Sequence, residues 1–262
     1  MNGKFPLVGA HTERFCAIAR EYVERADGKA ENLVIKRDHS LRVLDNAFCL
    51  VRELERSDHL NQTVLLAALY HDLGRFPQLE KYGTMDDSKS EDHGRLSVQA
   101  LLRGRLLDEI DSADRKTIIG AIYLHNKKEV PPGLPENMDF ALRVVRDSDK
   151  LDIYKVMLEN LSETACRDNP AVVLGLQYDE TAYTPEIVEA VREGELADYR
   201  AMRWVNDFKL LLLTWVYDLN FPASRRLLAE RKMAHAVGDL LPDVPELQDI
   251  RQKVLGDLER SL

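Results

Sequence analysis

Apolar residues recur at helical spacing along most of the chain, and strict alternation is hard to find. In HSLRVLDNAFCLVRELER (39–56), Leu41, Leu44, Phe48 and Val51 share one face, with Ala47 and Leu54 beside them. NQTVLLAALYHD (61–72) is apolar almost all round through Leu69, the pattern of a central, buried helix. The rhythm continues in HGRLSVQALL (93–102), RKTIIGAIYLH (115–125) and ENMDFALRVVRDSDKLDIYKVMLENL (136–161). It returns in TPEIVEAVREGEL, YRAMRWVNDFKLLLLTWVYDL, PASRRLLAERKMAHAVGDLL and VPELQDIRQKVLGDLERSL. Pro77, Gly83, Pro131, Pro132, Gly133 and Pro135 punctuate these segments. The stretch 162–184 is the least periodic and reads as a long loop or a short strand pair. There is no repeat and no low-complexity tract. The pattern predicts an all-α protein folded as a single domain over 1–262.

Composition narrows the class. With 45% hydrophobic and 31% charged residues in 262, the chain is an ordinary globular protein able to bury a core. A net charge of −9 argues against an extended nucleic-acid footprint, though a local cationic pocket for a small anion remains open. Cys16, Cys49 and Cys166 are odd in number and scattered, as expected of free thiols in a reducing compartment. MNGKFPLVGAHTERF lacks a long apolar run, so no signal peptide is expected. FKLLLLTWVYDL (208–219) is too short to cross a membrane. A cytoplasmic protein without membrane partners is expected; oligomeric state is not legible.

Chemistry collects at the helix ends. His39 opens the first strong segment, His71-Asp72 closes the next, His93 begins another and His125 ends the one after it. Asp149 lies in an apolar helix interrupted by Asp147, Asp149 and Asp152. An isolated His71-Asp72 pair has a plain reading, with His71 at a helix end through its dipole and Gly74 stopping the helix. Five consecutive segments each offering a His or Asp are harder to assign to chance, because bundle sites are built from inward-facing side chains of neighbouring helices. His11, His59 and His235 fit no such pattern. Imidazole and carboxylate without thiolate suit Fe, Mn, Zn, Co or Ni.

The order His39, His71-Asp72, Asp149 resembles the signature of the HD-domain superfamily of metal-dependent phosphohydrolases. HSLRVLDNA resembles the family's first helix, LAALYHDLGR its HD helix and DSDKLD its last ligand segment. The likeness covers roughly 33–160, with 185–262 as a C-terminal helical extension. It implies that His39, His71, Asp72 and Asp149 hold one divalent transition metal. In some subfamilies two further histidines bind a second ion with the Asp bridging, and His93 and His125 occupy that interval. Asp147 is the rival for the last ligand, since two helical residues turn a side chain by about 200°.

The implied activity is hydrolysis of a nucleotide or another small phosphate ester by a metal-activated water, with Asp72 and His93 as catalytic residues. His93 is a metal ligand in a two-ion site, or a proton donor to the leaving group in a one-ion site. Arg75, Lys150, Lys127 and Lys128 are the candidate contacts to the substrate phosphate; their plainer reading is a solvated face. The segment 75–93, rich in turn residues, reads as a mobile lid. A di-iron oxygenase and a catalytically silent binding module are the alternative classes. No GYP tripeptide occurs, which argues against a cyclic dinucleotide substrate.

Overall fold

The computed structural model describes residues 4–26, 28, 30–160 and 176–262, and among them the fold is all-α. These residues group into two compact units, Met1–Asp149 and Lys150–Leu262, where the sequence reads as one domain. The boundary falls directly after Asp149.

The first unit is built from α1 (Pro6–Arg25), α2 (Ala30–Glu53), α3 (Asp58–Tyr70), α4 (Arg75–Tyr82), α5 (His93–Arg103), α6 (Ser112–Leu124) and the first part of α7 (Glu136–Asn160). Its centre is α3, in which every residue from Thr63 to Tyr70 is buried. That is the consequence of an apolar surface on all sides, which must be covered by several neighbours. α1, α2 and α6 pack against it, and α5 packs against α6. Side-chain caps fix where helices begin: Ser57 accepts from the Leu60 amide, Asp92 from Arg95, and Asp111 from Ala113 and Asp114.

Several features differ from the sequence reading or add to it. The helix that carries His39 starts nine residues earlier, at Ala30, so His39 sits in mid-helix rather than opening it. The N-terminal segment forms α1, whose Val8, His11, Phe15 and Ala19 are buried at helical spacing. The expected lid is largely built structure, comprising α4 and a 3-10 turn at Asp87–Lys89. Pro77 does not separate elements, because it sits in the first turn of α4, where a helix needs no amide donor. Gly74 does not stop a helix with a left-handed backbone; its φ is −65°. Its missing side chain matters instead, since a Cβ there would lie 2.4 Å from both the His93 carbonyl oxygen and the Ser97 amide nitrogen. The backbone of α5 therefore passes directly against the turn that follows His71-Asp72.

The second unit contains the rest of α7, then α8 (Pro185–Glu193), α9 (Val205–Thr214), α10 (Pro222–Glu230), α11 (Met233–Asp239) and α12 (Pro245–Arg260). α9 packs on α8 and α11, and α12 on α8. Buried Asp207 ties this unit's loops together, accepting from the backbone and hydroxyl of Thr184 and from the amides of Arg203 and Trp204. Within 162–184, residues 162–175 lie outside the described residues, as does Cys166. Gln177 makes a single β-bridge with Trp204. Cys16 and Cys49 are free thiols. No helix among the described residues is long and apolar enough to cross a membrane.

Candidate metal centre

Five helices and the turn that follows α3 bring six residues together. His71 is the C-cap of α3 and Asp72 follows it; His125 is the C-cap of α6; His93 is the first residue of α5. His39 projects from α2 and Asp149 from α7. Nε2 of His39 lies 3.3 Å from Nε2 of His71 and 3.2 Å from Oδ1 of Asp149. Nε2 of His93 lies 3.0 Å from Nε2 of His125. Asp147, buried two residues before Asp149, belongs to none of the metal-competent groups among the described residues.

Asp72 stands between the two histidine pairs and divides its oxygens. Oδ2 lies 3.6 Å from His39 Nε2 and 3.8 Å from His71 Nε2. Oδ1 lies 3.4 Å from His93 Nε2 and 3.9 Å from His125 Nε2. Oδ2 also takes Lys36 Nζ at 2.8 Å, whereas Oδ1 is buried without a hydrogen bond. An orphaned carboxylate oxygen is costly unless something else satisfies it.

The ring hydrogens can be placed from their partners. His71 Nδ1 lies 2.8 Å from the Ala68 carbonyl, and His125 Nδ1 lies 2.6 Å from that of Ile122. A carbonyl only accepts, so both hydrogens are on Nδ1 and both Nε2 atoms carry lone pairs. His93 Nδ1 likewise donates to Asp87 Oδ2 at 2.6 Å. Nε2 of His93 thus faces the Nε2 lone pair of His125 at 3.0 Å. Both nitrogens are placed to ligate a cation between them. The C-terminal ends of α3 and α6 also point partial negative charge at this spot.

The protonation states suit a cation. Burial lowers the His71 imidazole, and it takes His125 down to about 3 with help from the neighbouring His93 and His71. Burial opposes ionisation of Asp72, but Lys36, His71 and Arg75 outweigh it and hold the carboxyl well below its usual range. Asp149 is held down in the same way against its own burial, chiefly by the bond from His39. Neutral imidazoles and ionised carboxylates are the forms that ligate metals. Three overlapping groups could each hold an ion: His39, His71 and Asp72; His71, His125 and Asp149; and Asp72, His93 and His125. The donor set therefore fits a divalent metal.

Residues 37–154 match the HD domain family. They form an HD domain. No curated protein and no solved structure matches the chain. HD domains are all-α and belong to a superfamily of metal-dependent hydrolases that also includes non-catalytic members.

Three of the four basic residues expected around this HD site pair with acids. Arg75 Nη1 bonds Gln78 Oε1, the Met85 carbonyl and Asp87 Oδ1, while its Nε lies 3.5 Å from Asp72 Oδ1. Lys127 pairs with Asp92, and Lys150 pairs with Asp218. Lys128 is exposed. Of the unplaced histidines, His11 is buried with Nδ1 3.0 Å from the Tyr70 hydroxyl, and His59 pairs with Asp114 at the surface.

Sequence reasoning missed Lys36, Asp87 and Ser97. Lys36 stands one turn before His39, a spacing that could have marked it as a neighbour. Ser97 donates to the His71 carbonyl at 2.7 Å and accepts from the Gly74 amide at 2.7 Å, locking α5 to the HD turn. Asp87 lies in an acidic run where no single residue stands out.

Proposed function

We propose that the HD domain is a metal-dependent phosphohydrolase acting on a nucleotide or another small phosphate ester, with two metal positions that share Asp72. The observation that supports this reading most is the division of the Asp72 oxygens between two histidine pairs. His39, His71, Asp72 and Asp149 would hold the first ion, and Asp72, His93 and His125 the second. Bound divalent ions would polarise the phosphoryl group and lower the pKa of a water to near neutrality. Asp72 would contribute one oxygen to each position. The Nδ1 bonds of His71, His93 and His125 orient the rings, so that their Nε2 atoms converge before anything binds. Lys36, whose side chain is 24% exposed, places a cation beside Asp72 and favours an anionic substrate on that side. Phosphoryl transfer depends mainly on such positioning and charge.

The test is metal analysis of protein purified without chelator, followed by a phosphatase and nucleotide panel with Mn²⁺, Co²⁺ and Fe²⁺. Two ions per chain and metal-dependent phosphate release are expected. A single ion under saturating Mn²⁺ would refute the shared-carboxylate arrangement. Absence of phosphate release across the panel, with O₂-dependent turnover of an organic substrate by an iron-loaded sample, would transfer the site to oxygenase chemistry.

A further inference from the structure

The four histidine rings are not supported alike. His71 and His125 sit at helix C-termini and donate Nδ1 hydrogens to carbonyls three residues back in their own helices. His93 begins α5 and has no helix behind it, so its ring is held from outside. The acceptor is Asp87 Oδ2, 2.6 Å from Nδ1; the same oxygen lies 3.4 Å from the His93 amide nitrogen and from Asn126 Nδ2. Asp87 is itself fixed through Oδ1, which accepts from Gln78 Nε2 at 2.8 Å and from Arg75 Nη1 at 3.0 Å. Fully buried Gln78 also grips Ser90 Oγ at 2.8 Å and the Glu91 carbonyl at 2.9 Å. The strap between α4 and α5 is therefore tied down at both ends, and it reaches a candidate ligand ring through Asp87.

We infer that Asp87 is the positioning residue of the second metal position, acting through His93. A carboxylate acceptor on Nδ1 enriches Nε2 more than a carbonyl does, and it fixes both tautomer and ring angle. Arg75 and Gln78 then serve that position by holding Asp87, which gives Arg75 a role other than direct contact with a substrate phosphate. This inference rests on the two-position reading. It adds that the affinity of one position alone is governed by a residue that touches no metal.

The experiment compares chelator-stripped wild type, Asp87→Ala, Asp87→Asn and Gln78→Ala by calorimetric titration with Mn²⁺, alongside electron paramagnetic resonance of the loaded samples. Wild type is expected to bind two ions and show a spin-coupled manganese pair. Asp87→Ala should retain one ion at wild-type affinity, bind the other roughly 10–100-fold more weakly, and lose the coupled signal at limiting metal. Asp87→Asn keeps a neutral acceptor and should recover part of the loss. Gln78→Ala loosens the strap while leaving the acceptor, and should cost less than Asp87→Ala. Should Asp87→Ala fail to fold, judged by circular dichroism, the Asp87→Asn affinities decide.

Two unchanged affinities in the Asp87 variants of a two-ion protein would overturn this inference alone. Equal weakening at both positions, or a Gln78→Ala effect as large as that of Asp87→Ala, would reduce Asp87 to a structural role and also overturn it. A wild type that binds one ion would overturn the two-position reading and this inference with it.

Discussion

The two sides of Asp72 are built from the same ring chemistry but different charge. On the Oδ2 side stand His39, His71, a second carboxylate from Asp149 and the ammonium of Lys36. On the Oδ1 side stand His93 and His125, with Asp87 one bond further out. Direct anionic donors favour the first side, which should fill first and hold its ion more tightly. The second side depends on a shared oxygen and on ring alignment, so it should be the more sensitive to changes in the surrounding helices. Similar residues at similar distances do not make equivalent positions.

The largest effect should come from Asp72→Ala, which removes the oxygens on both sides. Metal analysis should find neither ion retained and metal-dependent phosphate release should vanish, with helical circular dichroism preserved. Retention of one tightly held ion would show that the first side does not need the shared carboxylate.

Next is Gly74→Ala. Its methyl group would lie 2.4 Å from backbone atoms of α5, which cannot rotate away as a side chain can. Overpacking of this kind costs about 1–3 kcal/mol or more. Because α5 carries His93, a fall in the unfolding midpoint should be accompanied by weaker binding on the second side and a nearly unchanged first side. Equal loss on both would show that the two sides move as one body.

His125→Ala should lower manganese stoichiometry from about two to about one, because it deletes a donor from one side only. The same substitution at His71 should strike the tighter position instead. Identical stoichiometries for the two variants would erase the proposed difference.

The smallest effect concerns pH in the metal-free protein. His125 ionises at about 3 in the fold against an ordinary 6.5, because burial and its neighbouring imidazoles disfavour the charged ring. Between those values the unfolded chain takes up more protons, so this contribution to stability is complete above about 6.5 and is lost as pH falls toward 3. Thermal melts at successive pH values should show that decline, and His125→Gln should flatten it. Equal slopes in the two proteins would place the pH dependence elsewhere.

What could be read from sequence divides along a physical line. The helices of the first unit announce themselves by apolar spacing, and His71-Asp72, His93 and His125 stand out because polar groups at the ends of apolar runs need a reason. Asp149 could be separated from Asp147 only through the family likeness, since both interrupt the same helix; the fold then turns Asp149 toward His39. Other features were hidden because their signal is not periodic. The strap is polar and is fixed by side-chain bonds to Gln78 and Arg75, and α4, which buries only Phe76 and Leu79 as apolar residues, is too short for its period to show. Gly74 looks like a helix stop until α5 is seen lying against it. Arg75, Lys127 and Lys150 show that a cation near a site in sequence need not be free to meet a substrate, because its partner is chosen by the fold.

The placement of His71 and His125 at helix ends has a thermodynamic consequence. Each ring is tied to a carbonyl of its own rigid helix, so its torsional freedom is surrendered when the chain folds. A cation arriving later finds donors already at rest and need not order them. Binding at these rings should therefore carry little conformational entropy penalty, leaving the shedding of the ion's own hydration water to dominate the heat and entropy measured in a titration.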